Sequence, residues 1–273
     1  MPQDQLVLRE IHRGEIRFHV MVNPNDAFLQ DSWTAYESHE WEPWTFEMID
    51  KHVGPDTVFL DVGAWLGAMS LHVASRVSKV IAFEADPIAY ESLTQNIRAN
   101  PQWTNVTVNN VFVSDRGGTQ RVSSLHRGNN SGTTGVLDLG GDSWDVPSID
   151  FARVIKDLPT DVPLFVKMDI EGAEYRVLRS CGALLSKRQN TVLLLSMHPS
   201  ILMQTVKGRS LFAKCRRRAR LVLAHKAIFR QFTGFTRIVG SDKNDVSMRS
   251  LSAEILRTGS LSENHRELLF SKD

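Results

Sequence analysis

Three carboxylates and one histidine could together remove a proton from a bound molecule. Asp169, Glu171 and Glu174 fall within six residues of sequence. Like charges at close range raise the pKa of one member, which could make a carboxylate a usable base. An imidazole such as that of His198 accepts a proton near neutral pH without a large pKa shift. We predict that His198 is the general base and that Asp169 orients either His198 or the molecule losing its proton.

Each of these groups also has a simpler interpretation. The carboxylates could bind a divalent cation through their oxygens. We do not favour a metal, because Glu171 and Glu174 are expected at the start of a helix, where the helix dipole stabilises negative charge. His198 could be a structural histidine at the end of a strand, but its position there favours a functional role.

A glycine-containing turn predicts a second binding feature. Asp61 to Gly67, DVGAWLG, follows an apolar run, and its two glycines allow close backbone approach to a ligand. The turn lacks the third glycine of a dinucleotide site and the Gly-Lys-Ser/Thr of a phosphate loop. It suits a ligand that has a carboxylate and an ammonium group. Glu84 ends the next apolar run, where a carboxylate can accept both ribose hydroxyls of an adenosine. The alternative is an ordinary turn and a solvated glutamate.

The elements that must position these residues alternate between strands and helices. Such alternation predicts a doubly wound, parallel α/β sheet, with ligands beyond the carboxyl ends of its strands. Five strands are predicted, at Thr57–Val62, Lys79–Phe83, Val106–Val113, Leu164–Met168 and Thr191–Met197. Helices are predicted at Met69–Ser75, at Pro87–Asn100 with Asp86 as its cap, and at Glu174–Leu185.

The rest of the chain is less regular. Residues 5–22 alternate as in a hairpin, and residues 33–52 resemble an aromatic helical cap. Residues 114–144 predict a long loop, and residues 149–158 could form a helix. Further strand candidates are Leu221–Phe232, Phe235–Val239 and Leu268–Phe270.

Composition excludes several classes of protein. The 273 residues have a net charge of +1, so no specific nucleic-acid partner is expected. Cys181 and Cys215 are the two cysteines, and neither lies in a Cys-x-x-Cys motif, which argues against a disulfide framework or thiolate zinc site. No signal peptide and no apolar run of membrane-spanning length is recognisable. These features predict a cytoplasmic enzyme or binding protein.

Five motifs occur in an order that resembles one known family. They are WEPWTF at 41–46, DVGAWLG at 61–67, FEADP at 83–87, VSDRGG at 113–118 and KMDIEGAEY at 167–175. Together they resemble the FkbM family of methyltransferases between about residues 30 and 200. The resemblance implies S-adenosylmethionine as cofactor and methylation of a hydroxyl, often on a sugar. It implies a Rossmann-like, mostly parallel sheet with an antiparallel C-terminal strand. We expect residues 1–50 to form the hairpin and cap, and residues 51–273 the methyltransferase domain.

The resemblance also assigns cofactor contacts. Gly63, Ala64 and Gly67 would hold the methionine end, beside Asp61 and Asp169, and Glu84 would hold the ribose, with Ala85 in the same turn. Asn110 and Val111 would flank the adenine, with Ser114 at its edge. Trp65 departs from the asparagine common in the family and could favour the sulfonium by cation–π attraction or simply pack on a helix.

Acceptor contacts are expected from outside the cofactor core. We predict Trp41 and Glu42 in the aromatic cap, Asn130 in the long polar loop, and Glu171. Ser196 stands where many family members have an acid two positions before the histidine, which puts in doubt a mechanism needing that carboxylate. The chain could also form a homodimer.

Other functions remain as alternatives. One is a methyltransferase of the same cofactor class with a non-sugar acceptor, and another is a non-catalytic nucleotide-binding α/β protein. A nicotinamide oxidoreductase is disfavoured by the missing third glycine. The basic run at residues 214–220 is most simply a solvated helix face, but it could dock on an anionic glycan, nucleic acid or membrane.

Overall fold

The computed structural model describes residues 6–124, 133–204 and 210–272. Its first half contains β1 (Val7–Arg13), β2 (Ile16–Val22), α1 (Ala27–Glu37), α2 (Pro43–His52), β3 (Val58–Val62), α3 (Ala68–Val73), β4 (Lys79–Glu84), α4 (Pro87–Arg98), β5 (Val106–Asn110), β6 (Phe112–Ser114) and β7 (Gly118–Ser124). Its second half contains β8 (Asp142–Asp150), α5 (Phe151–Asp157), β9 (Leu164–Met168), α6 (Glu174–Lys187), β10 (Thr191–Ser196), α7 (Pro199–Gln204), α8 (Leu211–Phe229), β11 (Arg237–Gly240), α9 (Met248–Thr258), a short 3₁₀ turn (Glu263–His265) and β12 (Glu267–Ser271).

A seven-stranded sheet forms the centre, in the order β11-β12-β10-β9-β3-β4-β5. β10, β9, β3, β4 and β5 are parallel, and β12 pairs antiparallel with both β10 and β11. The predicted doubly wound α/β class and the antiparallel C-terminal strand are therefore confirmed. The switch in strand order lies between β3 and β9, so their carboxyl ends border the expected ligand crevice.

Alternating residues of the central strands pack against two layers. Leu60 and Val166 face a core that includes α6, α8 and the C-terminal elements. Phe59 and Phe165 face the hairpin, α1, α2 and α3, and their rings stack with centroids 5.2 Å apart. Because both faces are covered, β3 and β9 are buried throughout, which explains why their residues are apolar except for Asp61 and Lys167.

The β1–β2 hairpin, the helical residues of the cap and the Asp86 cap of α4 agree with the sequence predictions. The division at residue 50 stays a prediction. No helix in the described ranges has the length and apolar character needed to cross a bilayer.

Three segments differ from the predictions. The third strand ends at Asn110, and Phe112–Ser114 joins β7 and β8 in a separate three-stranded sheet, so the predicted loop contains β7 and the start of β8, whereas residues 133–141 lie outside the named strands. Residues 149 and 150 are extended, and the side chain of Asp150 then caps α5. Leu221–Phe232 was wrongly predicted as a strand, because most of it belongs to α8. Its buried residues Leu221, His225 and Ile228 follow helical spacing.

Candidate functional site

The turn after β3 and the turn after β9 touch at Gly63. Gly63 has φ of 84°, and a Cβ built there would lie 1.8 Å from the carbonyl oxygen of Asp169. The amide of Asp169 donates to the carbonyl of Val62 at 2.9 Å. Any side chain at Gly63 would therefore separate the two turns, and the glycine is required by this close approach.

Gly67 acts on the opposite side of the same turn. Its φ is 86°, and an added Cβ would lie 2.4 Å from the Cδ1 atom of Leu93 on α4. Gly67 is absent from the cleft wall formed by the described residues. Because Gly67 has no side chain, α3 can begin in close contact with α4.

Glu84 lies at the end of β4, in the wall of the cleft. One of its carboxylate oxygens accepts the amide of Trp65 at 2.7 Å, and the other accepts the amide of Asp86 at 2.8 Å. Burial raises the pKa of Glu84 to about 7, against the lowering effect of those two hydrogen bonds. The carboxylate thus joins the turn after β3 to the turn after β4.

A buried lysine lies among carboxylates at the floor of the cleft. The Lys167 ammonium donates to the carbonyl of Gly63 at 3.1 Å and lies 3.6 Å from the Asp169 carboxylate. Burial opposes its charge, but Asp169, Asp61, Glu42 and Glu84 together outweigh burial and raise the pKa of Lys167. Lys167 is therefore a fixed cation that holds these acidic groups together.

Asp61 and Glu42 each have an oxygen without a partner. Asp61 is fully buried, and the Ser70 hydroxyl donates to one of its oxygens at 2.6 Å. Its other oxygen, and one oxygen of Glu42, are buried and accept no hydrogen bond from the described residues. Burial raises the pKa of Glu42 to about 7. Such atoms are costly unless a ligand satisfies them, and both residues line the cleft.

His198 lies against three carboxylates. Its Nδ1 is 2.8 Å from Oε1 of the fully buried Glu174, and its Nε2 is 3.6 Å from both Asp169 and Glu171. Burial alone would lower its pKa, but Glu174, then Asp169 and Glu171, raise the pKa of His198 to about 9. At neutral pH the imidazole is therefore protonated, which is the wrong state for the predicted base.

Glu171 has the pKa that a base at neutral pH requires. Burial, with the charges of Asp169 and Glu174, raises the pKa of Glu171 to about 7, against the lowering effect of His198. Its φ of 48° is left-handed, and the Thr134 hydroxyl donates to its carbonyl at 2.6 Å. Asp169 and Glu171 both line the cleft.

The same three residues could also share a cation. Asp169, Glu171 and His198 each offer a ligand atom, and these atoms lie within 4.8 Å of one another. A metal would have to displace the proton that the carboxylates stabilise on His198. The arrangement is accounted for as an ion-pair cluster, and a metal is not favoured.

Most of the predicted contacts meet in one cleft. Its wall includes the predicted cofactor residues Asp61, Gly63, Ala64, Trp65, Glu84, Ala85, Val111 and Asp169, and the predicted acceptor residues Trp41, Glu42 and Glu171. Asn130 lies outside the described residues. His198 is one contact behind the wall, through Asp169 and Glu171.

Two predicted adenine contacts have other partners. The Asn110 amide donates to the carbonyl of Glu84 at 2.9 Å and so supports the turn after β4. The Ser114 hydroxyl accepts from Arg176 at 2.8 Å. Neither residue is part of the cleft wall, whereas their neighbours Val111 and Phe112 are.

Trp65 lies in the cleft wall and also packs against aromatic residues. The indole lines the cleft, and it makes an edge contact with Trp41 and a tilted contact with Phe28, at centroid distances of 5.7 and 6.0 Å. It therefore connects the cleft wall to the cap and to α1.

Sequence reasoning missed the apolar part of the wall. Met69, Phe112 and Ile170 line the cleft, but apolar residues next to strands are expected in any core, so no sequence signal distinguished them. It also treated Glu174 as a helix-end charge, whereas Glu174 is the buried partner of His198.

Comparisons with known proteins agree with the predicted family. A model of the methyltransferase FkbM domain matches residues 61–218, more than half of the chain. Precorrin-6y C5,15-methyltransferase from Geobacter metallireducens is 12% identical, with 85% of this chain and 88% of that chain covered and a TM-score of 0.39. A TehB-like SAM-dependent methyltransferase from Corynebacterium glutamicum is 9% identical, with coverages of 90% and 96% and a TM-score of 0.39.

Both structural similarities are too low to support an argument about this chain, so the assignment rests on the family model. The cleft fits the cofactor of that family, because it offers a glycine turn, a strand-end glutamate and a buried, unpartnered aspartate oxygen. The chain belongs to the FkbM family of methyltransferases, and its cofactor is S-adenosylmethionine.

Proposed function

We propose that this methyltransferase acts on a hydroxyl oxygen, and that its acceptor is a sugar of a glycan or of a glycosylated metabolite. The observation that carries this proposal is the proton-accepting cluster of Asp169, Glu171 and His198 at the edge of the cleft. A hydroxyl is a poor nucleophile at neutral pH, so its methylation needs such a group.

The cofactor is held by residues of the cleft wall. Gly63, Ala64 and Asp61 hold the methionine end, with the unpartnered Asp61 oxygen available to the ammonium. Glu84 keeps free lone pairs beside its two backbone hydrogen bonds and can accept from the ribose. Ala85 and Val111 border the adenine. When bound, S-adenosylmethionine supplies a methyl group on a cationic sulfur, which is already activated for transfer.

Glu171 takes the proton of the acceptor hydroxyl. Its pKa of about 7 gives it a large ionised fraction at neutral pH, together with enough basicity to accept a proton. His198 remains protonated and stabilises the ionised carboxylates of Glu171 and Asp169. The base predicted from sequence thus becomes a positioning cation, and the cluster as a whole keeps the proton-accepting role.

The acceptor also contacts Trp41 and Glu42 of the cleft wall. Trp41 offers an aromatic surface of the kind that packs against the apolar face of a sugar ring. Glu42 offers a buried oxygen without a partner, which can accept a hydrogen bond from a second hydroxyl. These two features favour a polyol over an apolar acceptor.

A radiolabelled methyl-transfer assay on an acceptor panel tests the proposal. The panel contains neutral sugars, amino sugars, uronic acids and a set of primary amines and phenols, and methylation positions are assigned by mass spectrometry. We expect methyl ethers on sugars, and we expect Glu171→Gln to lower kcat by roughly 10²–10⁴-fold, the usual contribution of a general base.

Glu91→Gln, on the exposed side of α4, is the matched control and should be unaffected. Transfer confined to nitrogen or carbon atoms would refute O-methylation, and transfer confined to phenols would refute the sugar acceptor.

A further inference from the structure

A groove between α6, α7 and α8 is lined by several arginines. Arg176, Arg179, Arg216 and Arg220 line it, together with Leu202 and Leu223. Its described lining contains no aspartate or glutamate. We refer to this feature as the arginine groove. Since the whole chain has a net charge of only +1, this is a local concentration of positive charge.

Three of the four guanidinium groups have no acidic partner among the residues that the structure describes. Arg176 is held by Asp115 at 3.3 Å and by Ser114 at 2.8 Å. Arg179, Arg216 and Arg220 are exposed, and within the described parts of the chain their side chains form no hydrogen bond or ion pair. Arginines placed to stabilise the fold would be expected to have such partners, so these three are available to an external anion.

Large apolar side chains share this surface of α8. Phe212 is 72% exposed and Leu223 is 67% exposed. Phe212, Arg216, Arg220 and Leu223 follow one another at spacings of three or four residues and therefore lie along one face of the helix. The 19 residues of α8 include several arginines and lysines and no acidic residue. Exposed arginines beside exposed large apolar side chains offer the two contacts that an anionic bilayer surface makes, one with its phosphates and one with the boundary of its acyl chains.

From these observations we infer that the arginine groove and the exposed face of α8 bind the surface of a bilayer containing anionic phospholipids. The arginines contact the headgroup phosphates, and Phe212 and Leu223 enter the boundary with the acyl chains. A nucleic acid would use the arginines but would leave the two apolar side chains in water. The bilayer therefore accounts for both parts of the surface.

The lining of the groove includes residues next to the partners of the proton-accepting cluster. Tyr175, in its lining, follows the Glu174 that contacts His198, and Leu202 is one helical turn after His198. Bilayer binding here would bring a lipid-linked glycan close to the proton-accepting cluster. This last step rests on the proposed function, whereas bilayer binding itself does not.

Vesicle sedimentation of the full chain tests the inference without donor or acceptor. Vesicles of equal parts phosphatidylglycerol and phosphatidylcholine are compared with vesicles of phosphatidylcholine alone. We expect binding to the anionic vesicles only, decreasing as salt is added. Each basic residue near an anionic surface strengthens partitioning by about fivefold, so Arg216→Ala with Arg220→Ala should weaken partitioning into vesicles roughly 30-fold. Phe212→Ser with Leu223→Ser should also weaken it.

One control pair and one single substitution remove comparable groups elsewhere. Arg153→Ala with Lys156→Ala removes two charges from exposed positions of α5, and Leu8→Ser removes an apolar side chain that is 59% exposed on β1. Both should bind vesicles as the wild type does. Unchanged affinity for S-adenosylhomocysteine verifies that every variant is folded.

Three results would overturn the inference. The first is that the wild type fails to bind anionic vesicles at low salt, and the second is that the α5 control pair weakens binding as much as the α8 pair. The third is binding to a homopolymeric RNA together with vesicle binding that is insensitive to Phe212→Ser and Leu223→Ser, which would make the surface a general polyanion site. None of these results depends on methyl transfer, so a failed acceptor assay leaves the vesicle result intact.

Discussion

Replacing Glu174 with glutamine should lower the pKa of His198 by removing the carboxylate closest to the imidazole. Glu174 is fully buried and lies 2.8 Å from Nδ1 of His198, whereas Asp169 and Glu171 lie 3.6 Å from Nε2. Glutamine keeps a neutral oxygen that can accept the same hydrogen bond, so the substitution removes charge with little change in shape. The His198 imidazole then lies near two carboxylates in place of three.

The magnitude follows from Coulomb's law. Two unit charges at the 2.8 Å separation of Glu174 and His198 interact by roughly 1.5–6 kcal/mol for effective dielectric constants between about 80 and 20. Since one pKa unit corresponds to about 1.4 kcal/mol, loss of this charge should lower the pKa by roughly 1–4 units. From the wild-type value of about 9, the His198 pKa should fall into the range in which an ordinary histidine titrates.

Heteronuclear NMR of the imidazole groups measures this pKa directly. The His198 signal is identified as the one missing from the spectrum of His198→Gln, and its position is followed across neutral and alkaline pH. Glu254→Gln is the matched control, because it removes a carboxylate that contacts a different histidine, His265. That control should leave the His198 titration unchanged.

Two outcomes would refute the reasoning. A wild-type pKa near 6.5 would mean that burial outweighs the three carboxylates, and His198 would again be a suitable base. An unchanged value near 9 in Glu174→Gln would mean that Asp169 and Glu171 alone keep the proton on His198.

Four further results are expected. Glu84→Ala should weaken S-adenosylhomocysteine binding by roughly 10-fold or more in calorimetry, since loss of a hydrogen bond to a charged group costs about 1.5–3 kcal/mol; unchanged affinity would remove Glu84 from the ribose site. Gly63→Ala should abolish that binding or prevent folding, because its Cβ would lie 1.8 Å from the Asp169 carbonyl; a folded variant with normal affinity would contradict the packing argument. His198→Gln should lower kcat while leaving S-adenosylhomocysteine affinity intact. A chelator should not lower wild-type turnover, and a loss of turnover that Mg²⁺ restores would reinstate a metal at Asp169, Glu171 and His198. The folded protein binds the His198 proton more tightly than the unfolded chain does. Denaturant unfolding should therefore show a stabilisation that is fully present below pH 6.5 and is lost as the pH rises through about 9. The same pH dependence in His198→Gln would assign this stabilisation to other groups.

The parts of the site at strand ends could be predicted from sequence. Thr57–Val62 and Leu164–Met168 are mostly apolar runs in which only Asp61 and Lys167 are charged, and a parallel strand covered on both faces has such a pattern. Once these runs and Lys79–Phe83 are taken as parallel strands, the residues at their carboxyl ends, Asp61 to Gly63, Glu84 and Asp169, must meet at one edge of the sheet. This inference needs no knowledge of side-chain packing.

The remaining parts depend on contacts between distant segments. His198 and Glu174 are separated by 24 residues, and neither residue type reveals that the other is its partner. The sequence therefore suggested a neutral base, whereas the packed cluster keeps a cation. The boundary at the end of β5 also depends on a distant segment. Val106–Val113 is one run in the sequence, and it is divided in the structure because Phe112 pairs with β8.

Backbone conformation adds information that the residue types do not contain. In the described parts of the chain six non-glycine residues have positive φ, and three of them, Glu42, Trp65 and Glu171, line the cleft. Such conformations cost about 1–3 kcal/mol each and persist where surrounding contacts impose them. Here the Glu84 carboxylate holds the amide of Trp65, and the Thr134 hydroxyl holds the carbonyl of Glu171. The same contacts that set these backbones also fix the side chains in the cleft wall, so the strain is concentrated at the surface where donor and acceptor must be aligned.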